Sequence, residues 1–191
     1  MTWVLVAAAV AVVLILILGA IAIRRQSTAQ LREGFGPEYD RALEEHGDQR
    51  AAEEDLRSRR ERRRGLDIRP LAPRARARYA QRWEQTQRRF VDAPASALAD
   101  ADGLLAEVMR ERGYPVDDFE QRAADVSVDH PQTVEHYRAA HAISVQSAGQ
   151  RADTEDLRRA MVHYRALFDD LLHDGTDGDA VRDTHHAEEM G

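Results

Sequence analysis

Few residues in this chain have the type and spacing to do chemistry. Asp170 and His173 stand at i,i+3, the carboxylate–imidazole spacing used in helical di-metal sites. Such centres need two of these pairs plus further carboxylates, and the chain holds one. His136 and His141 are five apart, so on a helix they face different sides and do not chelate as an i,i+4 pair would. His185 and His186 lie in a stretch with little apolar content. Two adjacent acid pairs, Asp117-Asp118 and Asp169-Asp170, could share protons. The first opens a helical stretch and the second falls on the polar side of another. GxSxG, GxGxxG, HExxH and calcium-loop patterns are absent, and Gly34-Phe35-Gly36-Pro37 is too short for a phosphate loop. No catalytic residue, metal or cofactor is expected, and an enzyme is not the reading favoured.

Composition narrows the chemistry further. The chain has no cysteine, which removes disulfides, thiolate nucleophiles and cysteine-based zinc sites. All 27 basic residues are arginine. Without lysine there is no P-loop lysine, no kinase-type phosphate-pairing lysine and no Schiff base.

Charge distribution is the most distinctive feature. Residues 57–89 carry 13 arginines against Glu61, Asp67 and Glu84, a net of +10, whereas residues 24–56 net −4 and residues 92–191 net −13. Guanidinium groups at this density could bind phosphate of lipid headgroups or of nucleic acid. The candidate anionic-surface contacts are Arg57, Arg59, Arg60, Arg62, Arg63 and Arg64. The competing reading is neutralisation by the acidic remainder of the same chain. Arginines 57–64 point all round a helix, and Trp83 and Phe90 sit at core spacing and not as stacking platforms, so nucleic acid is disfavoured.

These side chains are positioned by helices. Residues 3–23 (WVLVAAAVAVVLILILGAIAI) hold no charge, and 21 helical residues span ~31 Å, the thickness of a hydrocarbon core. Trp3 suits the interface, and Arg24 and Arg25 end the span. A cleaved signal peptide would need a basic n-region and a shorter apolar run. With arginines only after the span, the positive-inside rule places the N-terminus outside and the body in the cytoplasm.

Residues 37–64 are helix-forming and nearly all polar, with Gly47 as a weak point. Glu53 with Arg57 and Asp55 with Arg59 have i,i+4 spacing suited to a solvated helix. From Pro73 the pattern becomes amphipathic. Tyr79, Trp83, Thr86 and Phe90 share a face; Leu98 to Met109 form a second helix stopped by Gly113 and Pro115. Asp117 and Glu120 have capping-box spacing before a third helix with Phe119, Ala123 and Val126. Asp129 and Pro131 start a fourth with Val134, Tyr137, His141 and Val145 inward. Thr154 opens the last, whose stripe is Leu157, Ala160, Met161, Tyr164, Leu167, Phe168, Leu171 and Leu172. No convincing strand period occurs.

The segments LREGFGPEYDRALEEHG (31–47), LDIRPLAPRARARY (66–79), RGYPVDDFEQRAADVSVDHPQTVEHYRAAHAI (112–143) and TEDLRRAMVHYRALFDDLL (154–172) carry a resemblance. The chain resembles an uncharacterised family of bacterial, actinobacterial-type single-pass membrane proteins. That likeness implies a bacterial membrane protein and brings no activity and no functional residues.

The expected fold class is all-α: one N-terminal transmembrane helix, a charged spacer helix and a small bundle of four to five helices. The domains expected are an anchor (1–25), a charged juxtamembrane spacer (26–72), a helical bundle (73–174) and a disordered tail (175–191). The expected function is a membrane-tethered adaptor or scaffold in the plasma membrane. Its expected partners are the bilayer, through residues 3–23, and an unidentified protein. The alternative is an anionic-surface binder acting through residues 57–89.

Overall fold

A computed structural model describes residues 25–149 and 152–173, together with Trp3, Leu18 and Gly19. All regular structure among the described residues is helical. The expected anchor (3–23) lies outside the described residues, apart from the three named. Those three are helical, and Trp3 and Leu18 are exposed. No helix among the described residues is long and apolar enough to cross a membrane. The expected tail (175–191) also lies outside them. The chain divides into two compact units, residues 1–57 and 58–191.

The first unit holds α1 (residues 25–35), α2 (Pro37–His46) and the beginning of α3 (Gln49–Arg64). Residues 37–64 are therefore two helices joined at Gly47, whose φ of 65° lets its N–H cap the Leu43 carbonyl. It is also packed and not solvated. Leu31, Phe35, Tyr39, Ala42, Ala52 and Leu56 are each at most 2% exposed. The sequence pattern hid this because Leu31 and Phe35 precede the break at Gly36 and belong to no stripe beginning at Pro37. Glu53, expected on a solvated face, is 7% exposed. It accepts hydrogen bonds from Thr28 (2.7 Å), Gln49 (2.9 Å) and Arg57 (2.6 Å), so α1 and α3 meet on one carboxylate.

The second unit begins within α3, at Ser58. It continues through α4 (Pro73–Arg89), α5 (Pro94–Arg112), α6 (Phe119–Asp129), α7 (Val134–Ala148) and α8 (Thr154–His173). Pro73 and Pro94 occupy first helical positions, where a missing N–H costs nothing. The α8 stripe is buried in full and packs on α5 and α7, while α4 packs on α5. Trp83 of α4 stacks on Phe168 of α8 with centroids 4.6 Å apart. Arg112, only 2% exposed, donates to the carbonyls of Leu171 (3.0 Å) and Arg69 (3.3 Å). It thereby ties the end of α5 to the Leu171 carbonyl of α8 and to the segment before α4.

Three local expectations change. The cap of α6 is Asp118, whose carboxylate accepts from the Gln121 amide at 2.8 Å; the Asp117/Glu120 pairing is one residue out of phase. Helix α6 runs through Asp129, so the next helix starts at Val134 and not at Asp129–Pro131. Val145 is 59% exposed, because it lies in the last turn of α7, beyond the inward face of Val134, Tyr137 and Ala140.

Gly113 ends α5 with φ 106°, and a Cβ there would lie 2.4 Å from the Asp67 carbonyl oxygen. Gly113→Ala should therefore lower unfolding stability by about 2–4 kcal/mol in urea denaturation. Gly103→Ala, in open space within α5, should instead stabilise by about 0.5–1 kcal/mol.

Candidate functional site

The six candidate arginines have intramolecular partners to hand. In the first unit Arg57 pairs with Glu53 at 2.6 Å. In the second, Arg59, 5% exposed, reaches Ser127 Oγ at 3.5 Å. Arg62 pairs with Asp125 (3.5 Å) and donates to Ser58 (2.8 Å). Arg63 pairs with Asp129, which also accepts from the Tyr114 hydroxyl at 2.5 Å. Arg64 pairs with Glu61 at 2.5 Å. Arg60 is half-buried; its burial and then the charge of Arg64 lower its pKa. Burial works against the charge of Arg63, yet its hydrogen bond to Asp129 and that carboxylate's charge hold its pKa above the ordinary value.

The same holds along α4. Arg78 meets Glu111 at 2.8 Å, Arg82 grips Glu107 through both guanidinium ends, and Arg89 meets Asp100 at 2.6 Å. Arg74 and Arg76 alone in this helix have no carboxylate partner among the described residues. Six acids from outside the block (Glu53, Asp100, Glu107, Glu111, Asp125 and Asp129) meet its arginines and bring its net charge from +10 to +4, and a pair already made competes with an incoming phosphate.

The residues flagged for metal or acid–base work separate. Asp170 accepts from Thr133 Oγ1 (2.7 Å) and contacts His130 Nδ1 (2.9 Å), while His173 Nδ1 lies 2.6 Å from the Asp169 carbonyl. The i,i+3 pair therefore does not converge. No group of three or more metal-capable side chains occurs among the described residues. Asp118 serves as a cap, and Asp169 pairs with Arg165 at 3.1 Å. His141 and His136 diverge as their spacing requires: His141 stacks on Phe119 and His136 meets His163.

One polar constellation in the bundle escaped the sequence. Asp102 of α5 accepts from Tyr164 of α8 at 3.0 Å, and His141 Nδ1 of α7 lies 3.9 Å away, in ion-pair but not hydrogen-bond range. Arg122 of α6, 8% exposed, sits over the rings of Phe119 and Tyr137, with 5.8 Å to each centroid. Burial opposes the Asp102 charge, but His141, Tyr164 and then the Arg122 charge outweigh it and lower its pKa. Burial, first, and the Asp102 charge raise the pKa of Tyr164. The arrangement keeps Asp102 ionised and Tyr164 protonated, which makes a hydrogen bond between α5 and α8 with His141 and Arg122 as charged neighbours from α7 and α6, and not an acid–base pair poised near neutrality. Its members are up to 62 residues apart, so no local spacing could have revealed it.

A cleft of about 690 Å³ in the first unit is lined by polar residues including Thr28, Arg50, Glu53 and Arg57. A groove of about 390 Å³ runs between α4 and α8 over Trp83 and Phe168.

Because the folded pKa of Asp102 is depressed, its contribution is complete above the unfolded value of 3.8 and is lost as pH falls through the lower folded value. Asp102→Asn should cost about 1–3 kcal/mol near neutral pH. It should also flatten the acid limb of stability below about pH 4, measured by urea denaturation across pH.

No family model matches the chain, and no curated protein or solved structure resembles it significantly, so geometry and sequence carry the functional reading.

Proposed function

We propose that this protein is a membrane-tethered helical adaptor. Residues 3–23 anchor it in the plasma membrane with the N-terminus outside, and the helical body holds a protein partner on the cytoplasmic side. The observation that carries this reading is the internal neutralisation of the arginine block. With guanidinium groups paired to Glu53, Asp125, Asp129, Glu111, Glu107 and Asp100, the block serves architecture and leaves less free charge for a lipid surface or nucleic acid. The likeness to bacterial single-pass membrane proteins and the lack of a local catalytic pattern support the same reading. Tethering confines the body to a thin layer at the membrane, so a weak partner contact gains effective concentration there.

The competing function is an anionic-surface binder acting through residues 57–89. Arg74 and Arg76 are the cations of α4 that favour it, having no carboxylate among the described residues. Vesicle sedimentation of residues 26–191 at low salt separates the two. The adaptor reading expects equal, weak retention by neutral and anionic vesicles. Strong retention by anionic vesicles alone, released by added salt, would establish the alternative.

A further inference from the structure

His136 of α7 and His163 of α8 stand outside the polar clamps described above. Their Nδ1 atoms are 3.0 Å apart, the ring centroids are 5.0 Å apart and the ring planes differ by 20°. With the nitrogens nearer than the centroids by almost two ring radii, the imidazoles meet edge to edge through Nδ1. One ring must donate its Nδ1 proton to the lone pair of the other. His136 is exposed and His163 half-buried, so solutes can reach the pair. Each ring projects from a different helix of an antiparallel pair that packs closely.

That separation is also the edge of a metal coordination shell. For metal–nitrogen bonds of ~2.0–2.1 Å, nitrogens 3.0 Å apart subtend an angle of about 94° at the metal, the cis angle of square-planar or octahedral geometry. A tetrahedral ion would need the nitrogens at about 3.3 Å. We infer that His136 and His163 form a two-histidine site for a divalent transition-metal ion of the Cu(II) or Ni(II) class, bridging α7 and α8. The ion replaces the shared proton: the rings turn outward until both Nδ1 lone pairs converge on it. The donor ring moves its proton to Nε2, where solvent accepts the hydrogen bond. Water completes the shell, consistent with the absence of a third metal-capable side chain among the described residues.

The electrostatics assist the ligands and weigh against the ion in modest measure. Burial, then the neighbouring His136 and Arg159, lower the pKa of His163, which keeps it neutral and able to ligate at physiological pH. Arg159 is itself paired with Asp156, so its charge is partly offset. Among the two candidate ions Cu(II) binds nitrogen donors more tightly. A bound ion joins two helices in the folded state, so it must raise folding stability.

The test uses the full-length chain carrying His185→Ala and His186→Ala, which removes a competing histidine pair. Cu(II) is added, binding is followed by calorimetry, ligation by electron paramagnetic resonance, and stability by thermal unfolding. The expected result is one bound Cu(II) with coupling to two imidazole nitrogens and a raised unfolding midpoint. Either His136→Gln or His163→Gln should weaken binding by at least about tenfold and abolish the rise in midpoint. Equal binding and an equal midpoint rise in both variants would overturn the site. So would a lack of Cu(II) binding by the parent chain, which would leave the pair as a hydrogen bond only.

Discussion

The carboxylates of Asp125 and Asp129 decide where the arginines of the second unit can go. Both stand on α6, and they draw Arg62 and Arg63 from more than sixty residues away. Exposed ion pairs contribute little, about 0–1 kcal/mol each. These are different in degree: Asp125 is 3% exposed in its side chain, and Asp129 is shared between Arg63 and the buried Tyr114. Removing Arg62 would leave the buried Asp125 carboxylate without its cation, which costs more than the pair itself contributes. A chain whose only permanent side-chain cation is guanidinium, concentrated in one block, can fold compactly when acids of other segments meet that block. That requirement makes the block part of the architecture.

Apolar burial supplies the driving force beneath this network. The α8 stripe gives the bundle its centre, and the stacked Trp83 and Phe168 tie α4 to it. Polar clamps then fix the register. Asp102 holds Tyr164, Asp170 holds Thr133 and His130, and Arg112 holds the Leu171 carbonyl of α8. Their buried members, Tyr164, His130 and Arg112, disfavour alternative packings, because a slipped register would strand them away from these partners. The proposed adaptor role asks for this kind of rigid body, and the proposed metal site would add a further link between α7 and α8.

The sequence made some of this legible and concealed the rest for physical reasons. Helical periodicity identified α4, α5 and α8 with their buried faces, because each presents an unbroken stripe to one core. The Glu53–Arg57 pair was also readable, since i,i+4 neighbours meet on any helix. Burial of Glu53 was not readable, because Thr28 lies 25 residues away and the apolar residues around it are split by Gly36. The Asp102 cluster depends on packing among four helices and leaves no local trace. Asp117 and Asp118 are adjacent acids of equal capping aptitude, so only the backbone path chooses between them. The His136–His163 meeting requires the α7–α8 hairpin, whereas spacing along one helix compares His136 only with His141.

The most direct measurement is native-state hydrogen exchange on the amides of residues 58–64, the end of α3 that carries Arg59 to Arg64. If acids of the second unit pin this block, those amides open only with the unit and show protection matching that of α6. Exchange at the rate of a solvated, freely fraying helix, while α6 stays protected, would show that the block stands apart and that its charge is available to outside anions.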